Sequence, residues 1–213
     1  MFPKCLGTIF AAITVSNAAG PPGLPFLDWK ACPFEGCTYR RWTAREKVDV
    51  YDTWEERRRR IAKLSSGDTV VGITGVVITV RPGTIRIDRD LPEQNLQRGD
   101  TILTYTYRGE GFSAVWFHGR YYSEFDISFT RWPDGTGCGG EHCAATYIDL
   151  GRKVWWAEVD LSSGRKGWVN MNESNFDGTD MLCFLPRERQ KQISACGGRQ
   201  SRTWSSANGT VQT

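Results

Sequence analysis

Apolar and polar residues alternate along most of the chain in short runs that end at Gly, Pro or Asp, which is the period-two signature of β-strands. The longer period of an amphipathic helix shows only at Thr53–Leu64. Strands are expected at Lys47–Tyr51, Thr69–Val80, Thr84–Asp88, Thr101–Tyr107, Ser113–Phe117, Glu124–Thr130, Ala145–Asp149, Val154–Val159 and Gly167–Met171, so the fold class is all-β.

The most informative run is Trp155-Trp156-Ala157-Glu158-Val159. Side chains on a strand point alternately to its two faces, so Trp155, Ala157 and Val159 share one face and Trp156 shares the other with Glu158. The apolar set is expected to face the core, because the opposite choice buries Glu158. Ser162-Ser163-Gly164-Arg165 supplies a turn, and Val169 on the return strand then points inward. That places Trp168 outside, next to Trp156, as an expected cross-strand aromatic pair.

A short repeat organises the chain. Leu64-Ser65-Ser66-Gly67-Asp68-Thr69 matches Leu96-Gln97-Arg98-Gly99-Asp100-Thr101, each followed by two apolar residues. Gly-Asp makes a tight turn and the apolar pair launches a strand, so the same diverging turn is expected twice.

The first residues read as an export signal: Lys4, an apolar run from Cys5 to Val15, then Ser16 and Ala18 at the small-residue positions of a cleavage site after Ala18. The run is too short to span a bilayer, so no stable membrane anchor is expected. Removing 1–18 leaves 26 basic residues, the full 27 less Lys4, against 24 acidic ones. So small an excess excludes the strongly basic surface of a nucleic-acid binder. The run Arg57–Arg60 follows Glu55 and Glu56 and reads as a solvated helical turn or loop. Six cysteines remain, and an even number in an exported chain argues for disulfides. Proximity suggests Cys32 with Cys37, Cys138 with Cys143, and Cys183 with Cys196, out of about 15 connectivities that six cysteines allow. From Arg187 onward the composition turns polar, and the tail is expected to be disordered beyond Cys196.

Together, the L-x-x-G-D-T turn, the W-W-x-x-V strand and the G-x-x-G-W-V return resemble the bacterial SH3-like domains of secreted and cell-envelope proteins. The match is best from Leu96 to Met171 and weaker from about Lys47 to Ile87, and the first copy lacks the closing Gly-Trp-Val. The resemblance implies small β-barrels, either one complete and one partial copy or a single fused β-domain. The corresponding division is a signal at 1–18, a partial repeat at 19–95, a barrel with an insertion at 96–180 and a tail at 181–213. It further implies a shallow aromatic groove for a peptidoglycan peptide or another envelope ligand, carried here by Trp156, Trp168 and Glu158. Capping of the barrel against the long insertion before the hairpin is the alternative role for the two indoles. Asn170 stands where the eukaryotic SH3 pattern has its groove proline, so polyproline recognition is not supported.

The segment Phe129–Tyr147 is a long loop with a Cys138–Cys143 staple, and Trp132, Glu141 and His142 are candidates for a second wall of the groove. Cys138, His142 and Cys143, completed by Cys37 and Cys32, form the one zinc-like spacing, and Cys143 with His118 the one thiol–base pair. Both need reduced thiols. Ser163-x-x-Lys166 sits in a hairpin turn and Gly111-x-Ser113 at a strand start, so neither matches the helix-borne nucleophile it imitates. The acids Glu110, Glu124, Asp126 and Glu158 are not brought together by any pattern, and Asn172 and Asn208 head glycosylation sequons. The expectation is an exported, non-catalytic binding module for a cell-wall peptide or an exported protein, with no cofactor and no nucleic acid. A thiol- or zinc-dependent hydrolase centred on the Cys138–Cys143 loop is the alternative.

Overall fold

The computed structural model describes residues 20–172 and 176–180. The expected signal, the Cys183–Cys196 pair, the polar tail and the Asn208 sequon lie outside the described residues. The strands are β1 (Phe26–Trp29), β2 (Arg41–Ala44), β3 (Val48–Tyr51), β4 (Arg60–Leu64), β5 (Thr69–Arg81), β6 (Gly83–Ile87) and β7 (Thr101–Gly109). They continue with β8 (Phe112–Phe117), β9 (Arg120–Asp126), β10 (Thr130–Arg131), β11 (Ala145–Asp149), β12 (Arg152–Leu161), β13 (Lys166–Asn170) and β14 (Phe176–Asp177). The all-β expectation holds. The helical reading of Thr53–Leu64 does not: Arg60–Leu64 is β4, antiparallel to β3, because pairing with Val48–Tyr51 outweighs a weak local period.

Two curled sheets share the strands. The first runs β14-β2-β5-β12-β13-β3-β4, with β1 also on β5, and the second runs β10-β11-β6-β7-β8-β9. The second sheet is therefore built wholly from chain that lies between β5 and β12, two neighbours in the first. This regroups the repeat. The Leu96–Thr101 turn leads into β7-β8-β9, whereas the Trp155-Trp156 hairpin pairs with β5, which the Leu64–Thr69 turn launches. A cut between residues 95 and 96 thus does not follow a sheet boundary.

The two turns are built alike, bond for bond. Asp68 Oδ2 accepts the Ser65 N–H and Asp100 Oδ2 the Gln97 N–H, both at 2.8 Å. Gly67 and Gly99 have φ of +91° and +95°, and their N–H groups donate to Ala44 and Ile87, both at 2.8 Å. The Ala44 and Ile87 N–H groups return to Asp68 and Asp100 carbonyls, both at 2.9 Å. Each turn thereby ties a preceding strand, β2 or β6, to the strand it launches.

Each sheet wraps its own core. Trp42, Val50, Val77, Trp155, Ala157, Val159 and Val169 fill the first, and Ile85, Ile87, Ile102, Val115 and Phe117 the second. Glycines inside β5 make this possible: a Cβ on Gly72 would lie 2.7 Å from the Trp42 ring, and one on Gly75 only 2.2 Å from Tyr39 Oη. The Tyr39 hydroxyl donates to the Ala31 carbonyl and accepts the Trp155 indole N–H, and burial pushes its pKa up to about 12.

The chain crosses between the sheets twice, at 81–83 and 149–152, and the two crossings touch backbone to backbone. Gly151 sits at φ +73°, and a Cβ there would lie 2.4 Å from the Arg81 carbonyl oxygen. Arg81 is paired with Asp149, and Lys153 Nζ donates to the Leu150 carbonyl at 3.1 Å. Beside this neck, Asp28 of β1 accepts from Thr106 Oγ1 at 2.9 Å and Arg108 at 2.6 Å, and Thr79 Oγ1 donates to the Tyr105 carbonyl at 2.6 Å.

Two outcomes follow from the neck. Gly151→Ala should lower the free energy of unfolding by about 3 kcal/mol, from strain plus overlap, whereas Gly164→Ala, at φ +77° but in open space, should cost about 1 kcal/mol. Denaturant unfolding of both variants checks this. Burial, reinforced by Arg81, pulls Lys153 down to about 8 from 10.5. Between these values the unfolded chain binds more protons than the folded one, so stability contributed at this site rises with pH. Unfolding of the parent compared with Lys153→Met should show the parent gaining stability from about pH 8 to pH 10.

Candidate functional site

The alternation read from β12 is obeyed. Trp155, Ala157, Val159 and Val169 enter the first core, and Trp156, Glu158 and Trp168 lie on the sheet's other face. Their register differs from the expected pair: Trp156 faces Asn170 across the strands, and Glu158 faces Trp168. Cross-strand pairing assembles two rungs on this outer face. One runs Thr74–Glu158–Trp168–Tyr51 and the other Trp29–Val76–Trp156–Asn170.

The outer face is not bare. Trp156 is only 4% exposed and Val76 0%, so together they form the floor of a second, smaller core. Tyr51 meets the Trp156 ring edge-on at 5.9 Å, and the Arg58 guanidinium sits 4.9 Å from the Trp156 ring and 5.3 Å from that of Tyr51. Above this floor Trp29, 51% exposed, makes edge contacts with Trp54 at 5.7 Å and Trp168 at 6.4 Å.

Local sequence explains how these groups arrive. In β3, Val48 and Val50 go into the core, which turns Asp49 and Tyr51 outward. The β3–β4 loop closes on Asp52, whose carboxylate accepts the Arg59 N–H at 2.8 Å and Arg59 Nε at 3.1 Å. The backbone N–H of Arg59 is the chief reason the Asp52 carboxyl titrates below its ordinary range. Folded this way, the loop lays Trp54 and Arg58 against the face. The basic run is thus divided: Arg58 on the aromatics, Arg59 on Asp52, and Arg60 with Lys63 on Asp49. Arg57–Arg59 form a loop with acids beside them, and Arg60 opens β4.

Trp132 lies elsewhere. Its ring packs on Tyr147 at 4.7 Å, in the second sheet, and is 37% exposed. Gly137, at φ +96°, lets the loop close over it. Glu141 and His142 are exposed in a single 3-10 turn at Gly140–His142. Among the described residues no ring contact joins Trp132 to Trp156 or Trp168.

The remaining chemical candidates also separate. Cys32–Cys37 and Cys138–Cys143 are two pairs at disulfide distance, as proximity suggested. Oxidised in these pairs, the sulfurs would not be free for a zinc ion or a thiol nucleophile. Among the described residues no three of His, Cys, Asp and Glu gather as a metal site, and no helix is long and apolar enough to cross a membrane. His118 Nε2 is 2.9 Å from Asp100 Oδ2. Glu124 and Asp126 are on β9 of the second sheet, Glu110 is in the β7–β8 turn, and Glu158 is in the first sheet. Asn172 accepts the Trp155 N–H at 2.7 Å through its side-chain oxygen, which ties the chain after β13 to β12.

Sequence reasoning missed Trp29, Trp54, Tyr51 and Arg58. The only trace is compositional and local: Trp54 stands among Asp52, Thr53, Glu55 and Glu56, and Trp29 between Asp28 and Lys30. Trp156→Ala should lower the free energy of unfolding by about 3–5 kcal/mol because it empties the floor, whereas Trp29→Ala should cost about 1 kcal/mol, the worth of an edge contact. Denaturant midpoints with unchanged slopes check both values.

Compared with protein-family models, with curated proteins and with solved structures, the chain matches none.

Proposed function

We propose that this chain is a non-catalytic, exported binding module that holds a cell-envelope peptide or peptidoglycan fragment on the face made by Trp29, Trp54 and Trp168. The carrying observation is that Trp29 is half exposed while it leads a group of aromatics whose deeper members are packed away. A large indole presented on a rigid floor has binding surface to offer at little further entropic cost, and aromatic anchors of this kind dominate recognition surfaces. Burial of Trp156 moves the recognition role from that residue to Trp29 and Trp168. Trp156 and Tyr51 serve as the floor.

Two further features support the reading. The paired cysteines fit an oxidising compartment and hence export. The motifs that carry the resemblance to SH3-like envelope domains include an L-x-x-G-D-T turn, at Leu64–Thr69, in the same sheet as the Trp-Trp hairpin, while the stretch matched best, Leu96 to Met171, is divided between the two sheets. Docking on another exported protein uses the same face and is distinguished by the choice of bait.

Retention on purified peptidoglycan is the test. Trp29→Ala and Trp168→Ala should each weaken retention about tenfold, equivalent to about 1.4 kcal/mol. Trp132→Ala should leave it unchanged. Equal retention by all variants, or none by the parent protein, contradicts the proposal.

A further inference from the structure

Glu158 is a carboxylate on this face with no bond of its own within the described residues. It lies half-buried on β12, directly opposite Trp168 on β13 and Thr74 on β5. Neighbouring acids are engaged: Asp52 with Arg59, and Asp49 with Arg60 and Lys63. Glu158, by contrast, has no ion pair or hydrogen bond among the described residues; Asp160, also without one, stands across from Lys166 at the hairpin end, whereas Glu158 stands across from Trp168. A partly desolvated carboxylate gains most from a cation that brings its own hydrogen-bond donors. The wall beside it is an indole, whose face attracts cations within about 6 Å. The same face already holds one cation in this manner, the Arg58 guanidinium over Trp156 and Tyr51.

We propose that Glu158 and Trp168 form an ammonium-recognition point, which takes the terminal amine of a lysine-type side chain in a peptide lying across the Trp29 face. This rests on the binding role proposed above and names the chemistry it selects. The alkyl stem of such a side chain is apolar and suits the exposed Trp29 indole, while its charged end needs an anion. An ammonium carries three donors, which Glu158, the Thr74 hydroxyl and one water can accept. A guanidinium brings five in a fixed plane and leaves more of them unmatched in so small a polar patch.

The full chain is titrated by tryptophan fluorescence with an extended blocked pentapeptide, Ala-Ala-Lys-Ala-Ala, and with its Nε-acetyl-lysine and arginine twins. The lysine peptide is expected to bind about tenfold tighter than the acetylated twin, which keeps the stem and loses the charge. Glu158→Gln should erase that preference without moving the denaturation midpoint, and Trp29→Ala should weaken both peptides alike. Equal binding of the lysine and acetyl-lysine peptides, an unchanged preference in Glu158→Gln, tighter binding of the arginine twin, or no binding of the lysine peptide overturns the inference. Peptidoglycan retention separates the two levels. Loss of retention in Trp29→Ala but not in Glu158→Gln leaves the binding face standing and removes the ammonium site, whereas unchanged retention in Trp29→Ala removes both.

Discussion

Strand β5 is bonded along both edges for most of its length, and everything else is arranged around that fact. β1 and β2 occupy one edge and β12 the other, so Thr69–Arg81 is the spine of the first sheet. Its far end then leaves directly for the second sheet, and the chain returns only at β12, on the same strand it left. A strand in this position must satisfy two faces at once. It does so with glycines where Trp42, Tyr39 and Trp155 press against the inner face, and with Val76 beneath the outer aromatics. Where the outgoing and returning chains meet, Gly151 is the residue that lets two backbones touch.

The consequence for function lies in the rungs across β5, β12, β13 and β3. Because alternation sends Trp155 and Trp156 in opposite directions, one dipeptide anchors two cores on the two sides of a single sheet. The inner one is the fold's own. The outer one is small, floored by Trp156 and Val76, braced by Tyr51 and Arg58, and topped by Trp29, Trp54 and Trp168. Recognition groups on strands with a packed layer beneath them are held more firmly than groups on loops alone. Glu158 lies on that same surface, across from Trp168 and Thr74, with no ion pair among the described residues.

Much of this was written in the sequence in local form. Alternation through Trp155–Val159, the turn at Ser162–Arg165 and the two L-x-x-G-D-T segments depend on neighbours within a few residues, and each reads correctly. Paired cysteines five apart are equally local. Strands β1 and β2 escaped because they are short and their pairing partners on β5 lie some 30 to 50 residues away. The same distance hid the role of Trp29, which becomes part of a site only when β1 is laid on β5 and the β3–β4 loop folds over. Alternation puts Trp156 on the correct face but says nothing about what covers that face, and the indole is buried there. Nesting of one sheet inside the other was hidden for a related reason. The closing hairpin follows the second turn in sequence but belongs with the first in space.

The central claim, that this face presents Trp29 and Trp168 while it withholds Trp156, is tested most directly with 5-fluorotryptophan. The chain has nine tryptophans, each assignable by its Phe variant in a fluorine spectrum. Addition of soluble peptidoglycan fragments should shift the Trp29 and Trp168 resonances and leave Trp155 and Trp132 in place. A spectrum in which Trp132 moves and Trp29 and Trp168 do not, or in which nothing moves at saturating fragment, contradicts it.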